Sequence, residues 1–418
     1  MASFAPGPQV VILADDLTGA CDTAQPFAAT LPTGVLIRRL EGLEGVAGWQ
    51  VLSVNGRTRS ERPDAARAIT REILGRLRGR FPTVIYKKID STLRGNVAAE
   101  AQAIADAVPD CPVVVAPAFP AMGRTVVDGC VLVRGVPVDR TEYAADPRHP
   151  VRETSLKTLL GGGRSGGAEV IPLALVRAGE ASLAVALAAA RARARFLCLD
   201  AETDEDLDAI ARAAGSLGPP DVLVGSAGLA AALARTRRRP ERGAGNASAT
   251  GRPAGPSLAV IGTRNPATER QVEWIRRQGL AAVISVAPDH FLEDRGALQA
   301  CILRVHARAA LDVRQDVVLH VSGGFVPELS ASHLLADLVE CLPRARVGCL
   351  VLSGGGTADA VLHRLGAWGI RLLPGPTPAG CSLGAICGGR YDGACVVLKA
   401  GGFGTESLLA RILDPRRA

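Results

Sequence analysis

Four times in this chain an apolar run ends in a glycine-containing turn that leads into an amphipathic segment. Runs such as Val10–Ala14, Val51–Val54, Thr83–Tyr86, Val113–Ala116, Phe196–Leu199 and Val222–Val224 are short and continuously apolar. Leu258–Ile261, Ala282–Val286, Val317–Val321, Cys349–Leu352 and Val396–Leu398 repeat the pattern in the second half. A strand that is apolar on both faces belongs in a parallel sheet covered by helices on both sides. Helical stretches such as Asp64–Arg78 and Ala98–Ala107 supply that cover. The expected fold is therefore α/β, with two domains, each a mostly parallel sheet flanked by helices. In such sheets ligands bind beyond the carboxyl ends of the strands, so the residues that follow each run are the ones that carry function.

A length of 418 residues exceeds what one core usually organises. The stretch 236–256 is Arg, Pro, Gly, Ala and Ser without apolar periodicity and reads as a linker. It separates a domain at 9–235 from a second at 257–418. The net charge of +7 suggests nucleic acid until it is located. Six arginines between Arg235 and Pro256 against the single acid Glu241 contribute +5 of it, so no basic nucleic-acid surface is expected. The ten cysteines form no Cys-x-x-Cys pair, which disfavours a zinc knuckle or a disulfide framework and fits thiols in a reducing cytoplasm. No apolar run is long enough to span a bilayer, and the N-terminus has no basic start of a secretory signal.

Two glycine loops lie near the C-terminus. Lys399-Ala400-Gly401-Gly402-Phe403-Gly404 follows a strand and precedes a helix from Ser407 onward. Ser353-Gly354-Gly355-Gly356-Thr357 is built alike and leads into a helix over Ala358–Leu365. Such turns present backbone N–H groups and a helix N-terminus to an anion, and two of them together suggest a nucleotide. Neither is a Walker A loop, because no Gly-Lys-Ser/Thr follows.

The first half carries a different chemistry. Ala14-Asp15-Asp16-Leu17-Thr18-Gly19 puts two carboxylates at the end of the first strand, with Asp22 a turn later. One of them is explained as a helix cap, two adjacent ones are not. Lys87-Lys88-Ile89-Asp90-Ser91-Thr92-Leu93-Arg94 and Asn55-Gly56-Arg57-Thr58-Arg59 follow two further strands. Cations that offset a carboxylate beside side chains that bond hydroxyls suit a polyhydroxy acid. The polar segment over Pro117–Thr125 and Gly129–Asp146 is expected to be a functional loop or lid. Gly161–Gly167 reads as a surface connection. Gly225-Ser226-Ala227-Gly228 lacks the Gly-x-Ser-x-Gly frame of a nucleophile elbow.

Taken in order, ADDLTGA, KKIDSTLRGN, APAFPAMGRTVVDG, GSAGLA, SGGGTADAV and LKAGGFG resemble the four-carbon acid sugar kinases, which include threonate, erythronate and 3-oxo-tetronate kinases. The resemblance covers nearly the whole chain, and its KKIDSTLRGN form lies nearer the threonate and erythronate kinases. It implies an N-terminal acid-sugar domain, a C-terminal nucleotide domain and an active site in the cleft between them. It assigns the sugar acid to Asp15 or Asp16, Arg59 and the segment Lys88, Ile89, Asp90 and Ser91. It assigns ATP to Gly262, Thr263 and Asn265, to Gly354, Gly355, Gly356 and Thr357, and to Gly401, Gly402, Phe403 and Gly404. Where the family often reads Gly-Gly-Glu-Thr, this chain has Gly355-Gly356-Thr357.

The expected function is transfer of a phosphoryl group from ATP, with Mg²⁺, to the terminal hydroxyl of a four-carbon sugar acid. Arg59 and Lys88 would hold the acid's carboxylate, and Asp16 or Asp90 would take or orient the hydroxyl proton. A kinase for a 3-oxo-tetronate or another small hydroxy acid, and a non-catalytic sugar-acid sensor, stand as alternatives. An NAD oxidoreductase is disfavoured, since no Gly-x-Gly-x-x-Gly follows the first strand. The sequence names no oligomeric state and is compatible with a homodimer.

Overall fold

The computed structural model describes residues 7–77, 83–146, 149–161, 167–237, 255–291, 296–322 and 330–414. The chain divides into two compact units, Met1–Gly243 and Ala244–Ala418. Residues 238–254, most of the expected linker, lie outside the described residues, as do 162–166 of the Gly161–Gly167 connection. The helix Ala227–Thr236 runs one residue into the expected linker, and Arg237 just after it pairs with Asp221 at 2.7 Å.

The first unit carries β1 (Val10–Ala14), β2 (Thr33–Leu36), β3 (Val51–Asn55), β4 (Val84–Lys88), β5 (Val113–Ala116), β6 (Arg124–Val127), β7 (Cys130–Val133), β8 (Val136–Pro137), β9 (Ala168–Ile171), β10 (Phe196–Leu199) and β11 (Asp221–Gly225). Within it the strands follow the order β2-β3-β1-β4-β11-β5-β10-β9, every neighbour parallel. Every residue of β1, β3, β4, β5, β10 and β11 is buried, as expected of runs that are apolar on both faces. Register aligns the strand ends: Ala14 pairs with Asn55 and with Lys88, Lys88 with Gly225, and Gly225 with Ala116. The chain leaves β1 toward β2 on one side and leaves β4 toward β5 on the other. Adjacent strands whose connections part in this way open a crevice at their carboxyl ends.

The second unit carries β12 (Ser257–Ile261), β13 (Ala282–Val286), β14 (Val317–Val321), β15 (Cys349–Ser353), β16 (Gly369–Leu372), β17 (Cys381–Cys387) and β18 (Cys395–Lys399). Its order is β13-β14-β12-β15-β18-β17-β16, parallel as far as β18 and antiparallel beyond. Here β12 connects toward β13 and β15 toward β16, so the parting point falls between β12 and β15. His320, Ile261, Ser353 and Lys399 share one row at the carboxyl edge.

Four sheet strands lack the apolar run that marks the others. β2 and β16 are four residues long and contain glycine, and the apolar run of β17 is interrupted by Ser382 and Gly384. A Cβ on Gly34 of β2 would lie 2.3 Å from the Trp49 ring, so only glycine lets that indole cover the strand. β9 is an edge strand, half-buried at its centre. The polar excursion after β5 is no irregular lid: β6, β7 and β8 form a separate antiparallel sheet, and 3₁₀ turns at Val138–Arg140 and Glu142–Ala145 follow it. Positive φ at Asp128, Gly129, Arg134 and Gly135 makes the tight hairpin turns between these strands.

Ser226 is a helix cap. Its hydroxyl donates to the Ala118 carbonyl at 2.7 Å and accepts from the Gly228 amide at 3.1 Å at the start of helix Ala227–Thr236. Ser226→Ala should cost the first unit about 1–2 kcal/mol in denaturant unfolding. Catalytic turnover should stay within a few-fold while the protein is folded; loss of turnover without loss of stability would mean that Ser226 does chemistry.

Candidate active site

At the carboxyl end of β1, Asp15 is buried and an ionised carboxylate there requires a cation in contact. Arg59, carried on the turn after β3, supplies it with a two-pronged contact: Nε to Oδ2 at 2.7 Å and Nη2 to Oδ1 at 2.8 Å. Its Nη1 donates to Asp16 Oδ2 at 2.9 Å. The backbone joins in, since the amides of Thr58 and Arg59 both donate to the Asp15 carbonyl. Burial pushes the Asp15 carboxyl up, but Arg59, Lys87 and Lys88 outweigh it and the net shift is down. Arg59 is held protonated by Asp15, Asp16 and Asp90 against the cost of its burial.

Asp16 caps helix Leu17–Ala24, accepting from the Gly19 amide and the Thr18 hydroxyl, both at 2.9 Å. The capping role and a place in the site thus coincide. A Cβ on Gly19 would come 2.4 Å from Asp16 Oδ1 and 3.2 Å from Lys88 Nζ, so the bare glycine lets this carboxylate and ammonium approach one helix turn.

Lys87 and Lys88 are adjacent at the end of β4 and their side chains leave opposite faces. Lys87 is fully buried and pairs with Glu100 of helix Val97–Ala107 at 2.8 Å. Glu100 also accepts from the Thr58 hydroxyl at 2.7 Å, and burial pushes its carboxyl up against the pull of Lys87. Lys88 is only 7% exposed, yet no ion pair or hydrogen bond holds its ammonium among the described residues. Beyond it, Asp90 accepts from the Thr92 amide and hydroxyl, both at 3.1 Å, and from Arg94 Nε at 2.6 Å. Burial opposes its ionisation, but Arg94, Arg59 and Lys88 draw its carboxyl far below the usual range. Ile89 is buried and ties its amide to the Gly225 carbonyl, while Ser91 is half-buried in the following turn.

The residues after the small sheet also reach this edge. Tyr143 lies under Arg94, with the guanidinium carbon 5.2 Å from the ring centre, and accepts from Arg124. Asp146 meets Arg94 at 3.4 Å and His149 meets Ser60 at 3.5 Å. Burial, with Arg59 and Arg94 close by, lowers the His149 pKa. Sequence patterns missed these residues and Glu100, because their contacts span long stretches of chain; the length of the polar excursion was the one available signal.

In the second unit three segments meet at the parting point between β12 and β15. A Cβ on Gly262 would lie 2.2 Å from Thr357 Oγ1, and one on Gly354 would lie 3.2 Å from Thr263 Cβ. One on Gly401 would lie 2.6 Å from Thr263 Oγ1 and one on Gly402 3.4 Å from Asn265 Nδ2. Thr263 is thus wedged between the two glycine loops, and Asn265 caps helix Pro266–Gln278 beside them. The helix after the first loop starts earlier than the sequence implied, at Gly355, so the glycines form its first turn. Gly354 precedes it at φ 96° with no side-chain cap, which leaves that turn's amides open to an anion. The second loop differs: Gly401–Gly404 is separated from helix Leu408–Leu413 by a short turn, so its amides, not that helix, are what it offers. The Phe403 and Gly404 carbonyls accept from Gln271 Nε2. Lys399, absent from the sequence-derived site, lies fully buried at the base of this loop.

A sugar-binding N-terminal domain family matches residues 10–233, and a nucleotide-binding C-terminal domain family matches residues 258–409. A D-threonate kinase of Bordetella bronchiseptica is 36% identical over 97% of this chain and 96% of its own. The chain belongs to the four-carbon acid sugar kinase family. Another member, a D-threonate kinase of Salmonella typhimurium, is 31% identical over 97% of each chain. A solved Salmonella typhimurium structure matches the fold with a TM-score of 0.79 at 23% identity, covering 97% of this chain and 99% of that one. A Bordetella bronchiseptica structure, a domain-swapped dimer with bound citrate, is 35% identical over 97% and 98% of the chains with a TM-score of 0.51.

In this sugar acid kinase Lys87 and Lys88 should separate cleanly. Lys87→Met strands the buried Glu100 carboxylate and should destabilise the first unit by about 3–5 kcal/mol in urea unfolding. Adding Glu100→Leu should restore most of that loss. Additive losses in the double variant would show that the pair is not the reason Lys87 is needed.

Proposed function

We propose that this kinase transfers the γ-phosphoryl group of ATP to the terminal hydroxyl of a four-carbon sugar acid, with D-threonate the preferred acceptor. The observation that carries the reading is Lys88: a buried ammonium without a protein acceptor among the described residues, at the strand parting point and beside two carboxylates. The D-threonate kinases among the relatives support the choice of acid. Residues 9–235 would bind the acid and 257–418 the nucleotide.

Lys88 would take the substrate carboxylate. Arg59 has its fork committed to Asp15 and Asp16, so it acts chiefly by holding those groups, with its remaining N–H hydrogens left for the acid. Between the two candidate bases, Asp90 is the weaker, because Arg94, Arg59 and Lys88 drive its pKa far down. Asp16 would then orient the attacking hydroxyl and receive its proton as the phosphoryl group transfers. Asp90 and Ser91 would bond the remaining hydroxyls. The ATP phosphates would lie on the open amides before helix Gly355–Arg364 and on the Gly401–Gly404 turn, whose glycines leave room for close approach. Mg²⁺, bound chiefly through those phosphates, would neutralise charge on the oxygens as the leaving group departs. Both ligands are small molecules of cytoplasmic metabolism, and nucleic acid has no part in the reading. The domain-swapped dimer of the Bordetella relative supports a homodimer here, which light scattering would test.

ADP release measured across a panel of four-carbon acids tests the reading. D-threonate should give the highest kcat/KM, above D-erythronate and 3-oxo-tetronates. A preference for a 3-oxo-tetronate would favour that alternative, and nucleotide binding without turnover on any acid would favour a sensor. Lys88→Met should raise the KM for the acid about ten- to a hundredfold, the loss of one charge-assisted contact, with the affinity for ATP unchanged. An unchanged acid KM would remove Lys88 from the site.

A further inference from the structure

We infer that Lys399, Thr268 and Gln271 form an internal scaffold that turns the backbone N–H groups of Gly401–Glu406 outward as a triphosphate-binding face. The inference rests on the reading of this turn as a nucleotide contact and adds the residues that shape it. Its basis is where the turn's carbonyls go. Lys399, the last residue of β18, donates from Nζ to the Ala400 carbonyl and to Thr268 Oγ1, both at 3.1 Å. Thr268, in the first turn of helix Pro266–Gln278, uses its own hydrogen on the Gly401 carbonyl at 2.6 Å. Gln271, three residues further along the same helix, reaches the carbonyls of Phe403, Gly404 and Thr405 with Nε2 at 3.0, 3.3 and 3.0 Å. Five carbonyls of one short turn are therefore bound from the inside by three side chains that are fully buried.

A trans peptide points its C=O and the following N–H in opposite directions. Fixing the carbonyls of 400, 401, 403, 404 and 405 inward therefore aims the amides of Gly401, Gly402, Gly404, Thr405 and Glu406 outward. None of these five amides has a hydrogen bond to the protein among the described residues, and the turn that carries them is largely exposed, so they are open to an anion. Successive N–H groups turned away from the protein interior and left without a protein partner suit an anion.

The scaffold also explains two features that packing alone leaves unexplained. An aliphatic side chain would fill the Lys399 position at lower cost, because an enclosed ammonium without a carboxylate partner is expensive. No carboxylate lies within ion-pair distance of it among the described residues, and the titratable group facing it is the Cys381 thiol of the neighbouring β17. Burial lowers its pKa to about 8, with Cys381 acting weakly in the other direction, so the charge is retained at neutral pH directly behind the amides. Gln271 likewise leaves its Oε1 buried without a partner among the described residues, as a side chain kept for its donors would.

Calorimetric titration with ADP and a non-hydrolysable ATP analogue, beside steady-state kinetics, tests the scaffold. Thr268→Val and Gln271→Leu should each weaken nucleotide binding about tenfold or more, with the KM for the acid unchanged. Thr268→Ser, which keeps the hydroxyl, should bind nearly as the parent does. In the parent, nucleotide affinity should fall as the pH rises through about 8, because the lysine loses its charge there, and Lys399→Met should lack that step. Gly402→Val serves as the control for the turn itself. If Gly402→Val loses nucleotide while both scaffold variants bind normally, the scaffold is overturned and the nucleotide reading stands. If Gly402→Val also binds normally, the turn is not the nucleotide contact and both readings fall. If Gln271→Leu does not fold, the Thr268 Val and Ser pair decides, and equal affinities in that pair overturn the inference.

Discussion

Asp15 stands at the end of a fully buried strand, and the carboxylate is stable there only because Arg59 meets both of its oxygens. That contact does more than neutralise a charge. It draws the turn after β3 onto the end of β1, where the Asp15 carbonyl takes the amides of Thr58 and Arg59. Thr58 in turn reaches Glu100, and Asn96 bonds the carbonyls of Thr58 and Glu61, so the segment after β4 is tied to the same point. A Cβ on Gly95 would press to 3.1 Å of Asp15 Oδ2, which shows how closely the third loop packs. Three loops from three strands are thereby fixed before any ligand arrives. Preorganised charge of this kind stabilises a reacting group without reorganisation at the moment of reaction.

Both units solve the placement problem in the same way. Parallel register aligns the carboxyl ends of adjacent strands, and connections that part to opposite sides leave a gap at that edge. The first unit fills its gap with charged side chains, and the second lines it with backbone. The difference follows from the sequence at the strand ends: Asp-Asp and Lys-Lys in one, Gly-Thr and Gly-Gly-Gly in the other. Side chains distinguish the shape and hydroxyls of a small acid, whereas amides suit the uniform oxygens of a phosphate chain.

Much of this was legible in the sequence because the decisive signals are local. Continuous apolar runs marked the central strands, and the polar residues immediately after them marked the site. Asp15, Asp16, Arg59, Lys88 and Asp90 were singled out as candidates by their place after the strands together with the family resemblance. What the sequence withheld depends on long-range partners. Nothing near Lys87 or Lys88 reveals that one faces Glu100 and the other lacks a partner among the described residues; the answer for Lys87 lies thirteen residues away on a helix face. Lys399 was visible inside an apolar run, but its meaning depends on Thr268, on a distant helix. The antiparallel strands β16 and β17 escaped because apolar stretches broken by glycine, Arg371 or Ser382 do not look like the continuous runs of their parallel neighbours.

The buried pairing of Lys87 with Glu100 has a bearing on how this chain can diverge. An ionic pair in the interior is separated from an apolar replacement by intermediates in which one charge is stranded. Either first step alone consumes a large part of the few kcal/mol by which a domain exceeds its folding threshold. The two positions are therefore trapped together, and drift reaches the apolar alternative only when both change or when stability has accumulated elsewhere. A lysine held in this way would be retained for reasons of packing, next to one whose proposed role is binding. Persistence at both positions would look the same in a set of related sequences, while its physical cause is different in each.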